Sequence, residues 1–298
     1  MRIAANLGVC DEVELIAPCI RHLRSIGVDF IFVTDIGSLD GTAEMLREFA
    51  KDSDISLTLL SREDDPWGFP ERMYQKTIAN GTFDRVLFLD PDEFWLPKSG
   101  SLKSISALDA DVVRVSSFNV PLVEGRELLP GRFSPRDYPD IHFVVQPVEN
   151  AQASITADPS LPYSMVRVPP KIIVNPDRVM GAAMGCHRVV EKPGMRAVTK
   201  VADDMVIAHL PFSTAARFQR KVDNIRRSFA HFGHRLVGTQ AWHWRRWLEL
   251  ADQGKGEEEF RRQILTQKQF DELSSAGIVQ SVQQWLDGAP AQLSVKSR

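Results

Sequence analysis

Residues Arg85–Pro97 read RVLFLDPDEFWLP. An apolar run, Val86 to Leu89, leads into the carboxylates Asp90, Asp92 and Glu93, with more apolar bulk behind. Carboxylates held together raise one another's pKa, so such a cluster needs either a cation or open water. Asp90 and Asp92 stand two residues apart, and in an extended chain side chains at that spacing point to one side. Pro91 pushes Asp90 toward that extended geometry. The pair suits a hard divalent ion, Mn²⁺ or Mg²⁺, which takes one or two protein carboxylates and completes its shell with water and substrate phosphates. By itself the tripeptide reads more often as a solvated turn. Its place at the end of an apolar strand is what favours a site.

The flanking chain alternates. RIAANLG (2–8) reads as a strand, and Asp11 to Ile26 as a helix with Val13, Ile16, Ile20 and Leu23 at helical spacing. Pro18 should kink that helix or mark its true start. DFIFVTD (29–35) is a strand buried on both faces. Gly41–Lys51 reads as a helix, SLTLL (56–60) as a strand and Pro70–Asn80 as a helix, before RVLFLD. The alternation predicts an α/β fold with a mainly parallel central sheet flanked by helices. Ligands in such sheets bind beyond the carboxyl ends of the strands. VTDIGSLDGT (33–42) and FLDPDEFW (88–95) both begin at such ends and can face one crevice.

From Asp111 the pattern changes: DVVRVSSFNV (111–120) and IHFVVQPV (141–148) read as strands of a mixed extension with long loops. From Ser213, a plausible N-cap, the chain turns helical. Phe218, Val222, Ile225, Phe229 and Phe232 form an apolar stripe, and further helices are expected over Ala241–Ala251, Glu257–Leu273 and Ile278–Leu286. The organisation expected is a core over 1–212, a helical C-terminal extension over 213–290 and a disordered tail over 291–298.

Composition bounds the rest. In 298 residues, 43% hydrophobic and 25% charged, 36 basic side chains face 39 acidic ones, a net charge of −3 that argues against nucleic acid as a partner. Asp11, Glu12 and Glu14 come too early for a secretory signal. No stretch approaches the roughly 18 apolar residues of a membrane span. Cys10, Cys19 and Cys186 are too few and scattered for a disulfide framework, which points to a cytoplasmic setting. Arg217, Arg220, Lys221, Arg226 and Arg227 read first as the solvated face of their helix. With WHWRRWLEL (242–250) they also leave open a peripheral membrane contact through the C-terminal basic and aromatic helices.

One other chemistry uses the same residues. An apolar run followed by Asp-x-Asp also opens haloacid-dehalogenase-like phosphatases, with Asp203 and Asp204 as a late acidic pair. Those phosphatases normally continue into a small residue and Thr, and begin the fold with that strand. Here Glu93-Phe94-Trp95 follows, and strand–helix units precede. Zinc is disfavoured because Cys186 and His187 are adjacent rather than spaced as ligands.

Three separated stretches together resemble family 2-like glycosyltransferases: DEVELIAPCIRHLRSIGVDFIFVTDIGSLDGT (11–42), RVLFLDPDEFWLP, and PKIIVNPDRVMGAAMGCHRVV (170–190) followed by IAHLPFSTAARFQRKV (207–222). The order and spacing match from about Asp11 to Val222. The resemblance implies a nucleotide-diphospho-sugar transferase fold of the GT-A type with an Asp-x-Asp motif. It implies transfer of a sugar from a nucleotide-sugar donor to a hydroxyl acceptor (a glycan, a lipid-linked sugar or a small molecule), with inversion. Carried over, Asp35 lies near the base or ribose, Glu12 and Asp40 shape the nucleotide pocket, and Asp90 contacts ribose or the metal shell. Asp92 ligates the metal, and His209 approaches metal or diphosphate. The family usually has Asn where this chain has Asp11, and Ala where it has Pro91. Lys171 and Arg188 are candidates for the phosphates. Beside the catalytic Asp92, Glu149, Asp140 and His187 are candidates for the base that takes the acceptor proton. Simpler readings stand beside these: Asp35 and Asp40 as turn and cap residues, and His187 and His209 as satisfied core histidines. A sugar-nucleotide or glycan-binding domain without turnover is the non-enzymatic alternative.

Overall fold

The computed structural model of the chain describes residues 1–288 except 66, 127, 129, 184 and 239. The tail expected over 291–298 lies outside the described residues. The first half alternates as expected: β1 (Ile3–Val9), α1 (Ile16–Ser25), β2 (Phe30–Ile36), α2 (Thr42–Phe49), β3 (Ile55–Leu60), α3 (Phe69–Ala79), β4 (Arg85–Leu89) and β5 (Glu93–Pro97). Then come β6 (Val112–Asn119), β7 (Leu122–Val123), β8 (His142–Val144), α4 (Ala151–Ala157), β9 (Lys171–Val174), β10 (Val179–Ala182), β11 (Val189–Glu191) and β12 (Thr199–His209). The chain closes with α5 (Ala215–Phe232), α6 (Trp242–Asp252), α7 (Gly256–Arg262), β13 (Ile264–Leu265), α8 (Gln267–Ser275), β14 (Val279–Ser281) and α9 (Val282–Gly288).

The described residues form one eight-stranded sheet in the order β3-β2-β1-β4-β9-β6-β12-β5. Its first four strands are parallel. Beyond β4 the sheet is mixed: β9 runs antiparallel to β4 and β6, β12 parallel to β6, and β5 antiparallel to β12. The expectation of a mainly parallel sheet therefore holds for one half. β1 is buried throughout because helices cover both of its faces. Ile3, Ala5, Leu7 and Val9 pack with Ile16, Ile20 and Leu23 of α1, whereas Ala4 turns to Met73 and Tyr74 of α3.

Direction then decides function. Reversal of β9 places its first residue, Lys171, at the edge where β4 ends. Asn119 and His209 end β6 and β12 at that edge and pair in register. Glu93, the first residue of the reversed β5, pairs with His209. One sheet edge thus collects residues from positions 9 to 209.

Several boundaries move. The first helix starts at Ile16, five residues later than expected, with Pro18 in its first turn, where a missing N–H costs nothing. α5 is capped by Thr214, whose side chain accepts from the Arg217 amide, rather than by Ser213. The single helix expected over Glu257–Leu273 is two, α7 and α8, split by β13, with Thr266 and Gln269 forming a capping box for α8. The helix expected from Ile278 begins at Val282, because Val279–Ser281 pair with β8. No described helix is long and apolar enough to cross a membrane.

Candidate active site

At the carboxyl edge of the sheet lies a cavity of about 510 Å³, lined by the ends of β1, β4 and β12, the starts of β5 and β9, and one face of α5 and α6. Asp90, Asp92 and Glu93 enter it together, but their environments differ. Asp92 is buried, and Oδ2 receives Arg217 Nη2 at 2.9 Å and Lys221 Nζ at 3.2 Å, with His209 Nε2 at 3.7 Å. Burial acts to raise its pKa, but the Lys221 and Arg217 charges outweigh that and hold the carboxyl far below the usual range. Asp90 is more than half exposed and receives Lys171 Nζ at 2.8 Å. Glu93 is buried, 3.2 Å from the same ammonium, and accepts the Asp90 amide at 3.0 Å. Burial, aided by Asp90 and Asp92, pushes Glu93 up to about 8 against the pull of Lys171. Lys171, wholly buried, is penalised by desolvation, yet Asp90 and Glu93 raise it and keep it an ammonium.

Arg217 closes the network. Its guanidinium spans Glu12, at 2.6 and 2.9 Å, and Asp92, while Nη1 donates to the Leu210 carbonyl at 3.1 Å. Glu12, the expected pocket residue, is raised by burial against this pairing. Asp11 adopts φ 54° and is buried. Arg62 Nη2 at 2.5 Å and the Leu39 amide at 2.6 Å take its carboxylate. The extra charge relative to Asn is thereby neutralised locally. Burial opposes this, but the Leu39, Asn224 and Arg62 contacts lower its pKa.

The tautomer of His209 follows from Asn119. Asn119 Nδ2 donates to the Val166 carbonyl at 3.0 Å, so its Oδ1 is an acceptor, and His209 Nδ1 at 2.7 Å must donate to it. Burial lowers His209 to about 4, so the ring is neutral and Nε2 carries a lone pair aimed toward Asp92. Two acceptors 3.7 Å apart with no proton between them repel, and a cation between them relieves the repulsion. The pair fits a divalent ion with two protein ligands, and Asn119 orients the imidazole from behind. Among the described residues no three His, Cys, Asp or Glu side chains converge as a metal set. The expected Asp90–Asp92–His209 trio is therefore not assembled: Asp92 and His209 meet, while Asp90 turns to Lys171.

Other expected site residues fare unevenly. His187 lines the cavity; its Nδ1 donates to the Pro170 carbonyl at 3.0 Å, and burial lowers it to about 4. Glu149 does not line it; it is exposed and paired with Arg167. Asp140 borders a separate smaller cleft, and Arg188 is exposed and does not line the cavity. Asp35 is buried and bonded to Ser38, raised by burial. Asp40 accepts the Val13 and Thr42 amides, each at 3.0 Å. Asp35 and Asp40 shape the loops beside the cavity without lining it. The sequence reading gives no role to Glu93 within its carboxylate cluster and takes Arg217, Lys221 and Arg227 as a solvated face. The signal was present: Arg217, Lys221, Asn224 and Ser228 recur at helical spacing, one position ahead of the apolar stripe.

A family model for glycosyltransferase family 92 matches residues 4–241, which spans this edge from β1 to the residue before α6. The chain belongs to glycosyltransferase family 92. The family 92 match displaces the phosphatase alternative; Asp203 and Asp204 lie within β12 and do not line the cavity. No curated protein matches significantly. Among solved structures, this family 92 chain is similar to S. aureus TarS at 13% identity, over 76% of this chain and 39% of that one, with a TM-score of 0.41. S. aureus TarS 1–349 in complex with UDP-GlcNAc matches at 12% identity over 93% and 92%, with a TM-score of 0.36. Glucosyl-3-phosphoglycerate synthase from Mycobacterium tuberculosis in complex with Mg²⁺ and UDP matches at 17% over 78% and 79%, with a TM-score of 0.32. The chain thus spans about two fifths of the full TarS chain.

Proposed function

We propose that the cavity binds a nucleotide-diphospho-sugar in a GT-A type cleft and transfers its sugar, with inversion, to a hydroxyl acceptor. The observation that carries this reading is the meeting of Asp92, the lone-pair nitrogen of His209, Lys171, Lys221 and Arg217 at one sheet edge. Family membership supports glycosyl transfer. In the reaction the acceptor oxygen bonds to the anomeric carbon as the bond from that carbon to phosphate breaks, leaving a nucleoside diphosphate with growing negative charge. Lys171 and Lys221, fixed in place beforehand, stabilise that charge. Asp92 and His209 would hold a Mn²⁺ or Mg²⁺ ion, which would supply Lewis-acid stabilisation to the leaving group. The acceptor proton goes to a base within hydrogen-bond reach. Of the expected candidates, His187 borders the cavity, with its unprotonated Nε2 available.

Melting curves with UDP-, GDP- and TDP-sugars, each with Mg²⁺ or Mn²⁺, test the reading. One donor should raise the melting temperature by mass action and be hydrolysed slowly to free sugar. Stabilisation without hydrolysis favours a binding domain without turnover. No stabilisation by any donor overturns the proposal.

A further inference from the structure

The cavity has a second pole that the donor chemistry does not use. One stretch of its lining is aromatic: Tyr163, then His243, Trp244 and Trp247 from α6. Tyr163 and His243 are tilted against each other, with ring centroids 5.0 Å apart and planes at 35°. Trp247 is buried and meets His243 edge-on at 5.1 Å, forming the backing. Trp244 is half-buried, so part of its indole stays uncovered in the cavity.

Two polar groups stand in this wall. Among the described residues neither the Tyr163 hydroxyl nor the ring nitrogens of His243 has a hydrogen-bond partner, and none of these atoms is fully buried, so they stay accessible to a ligand. Burial keeps Tyr163 protonated and so a donor. His243 is lowered to about 3 by burial, and also by Lys221 and His209, so it is neutral and offers one donor and one acceptor. The wall also adjoins the reacting end. Asn119 Nδ2 donates to the Tyr163 carbonyl at 3.4 Å while its Oδ1 holds His209, and the Gln263 side chain fixes the Tyr163 amide at 2.7 Å.

We infer that Tyr163, His243 and Trp244 form the acceptor subsite, and that it takes a pyranose ring. A pyranose presents an apolar face of ring C–H groups and a rim of hydroxyls. An indole face beside an unpartnered phenol and imidazole complements both. An inorganic anion has no use for the indole, and a hydrocarbon leaves the two polar groups unpaired. This inference rests on the nucleotide-sugar reading, since it needs a donor end next to the wall.

Saturation-transfer NMR tests it, with methyl α- and β-glycosides of glucose, galactose and N-acetylglucosamine as probes and UDP with Mg²⁺ present. UDP affinity is measured by calorimetry on the same samples. At least one glycoside should show transfer to its ring protons in the wild type. Trp244→Ala should cut that signal at least fivefold and leave UDP affinity within twofold, and Trp244→Phe, which keeps an aromatic face, should retain most of it. Absence of transfer to every glycoside while UDP binds overturns the subsite alone, as does an unchanged signal in Trp244→Ala. Failure of UDP to bind the wild type overturns the donor reading beneath it.

Discussion

Arg217 Nη2 lies 2.9 Å from Asp92 Oδ2, joining the Asp-x-Asp segment to a helix 125 residues later in the chain. Both side chains are buried, and Glu12 shares the guanidinium. The helices after residue 213 therefore complete the site.

Removing the guanidinium should be costly. Arg217→Ala leaves Asp92 and Glu12 buried without their shared partner. Breaking a buried pair by removing one member costs about 3–5 kcal/mol. Urea unfolding should show that loss; a change under 1 kcal/mol would show that water screens the site.

Asp92→Asn should lose function and some stability together. Asn keeps the shape but leaves Arg217 and Lys221 without a full counter-charge, a penalty of about 1–3 kcal/mol. Affinity for Mg²⁺-UDP per folded molecule should fall at least tenfold. Full affinity in the folded fraction would make the aspartate purely structural.

His209 sets a pH dependence. Its folded pKa, about 4, lies below its ordinary 6.5. Between those values the unfolded chain binds more protons, so this group's contribution to stability is present above pH 6.5 and is lost as pH falls toward 4. Each pH unit in the window contributes at most about 1.4 kcal/mol. The stability difference between wild type and His209→Asn, followed from pH 7 to 4.5, should shift against the wild type as pH falls. A pH-independent difference would mean that the imidazole titrates alike in both states.

Glu149→Gln should change little. Glu149 is exposed, outside the cavity and, among the described residues, paired only with exposed Arg167. Stability should stay within about 0.5 kcal/mol, and donor hydrolysis should match the wild type. A large loss of hydrolysis would return Glu149 to the reaction.

Much of this was legible locally. The apolar run before Asp90, the alternation from Ile3 to Leu89 and the strand ending in His209 each carry a period or a turn signal that depends only on neighbouring residues. Strand direction beyond β4 was not legible, because reversal of β9 and β5 is settled by long-range pairing. That reversal puts Lys171 and Glu93 beside Asp90. Arg217 was hidden for a related reason: a basic residue next to an apolar helical stripe reads as solvated until its acidic partners, 125 and 205 residues earlier, are known. Glu149 failed in the opposite sense, since a carboxylate between strands is equally at home in a surface pair.

The central claim is that this sheet edge binds a nucleoside diphosphate with help from a divalent ion. Calorimetric titration of UDP, GDP and TDP into the protein, with Mg²⁺ and again with EDTA, tests it most directly. The account predicts one-to-one binding of at least one of them, weakened at least tenfold by EDTA and by Lys221→Met. Absence of binding by all three with Mg²⁺ present, or an affinity identical with and without the metal, would contradict it.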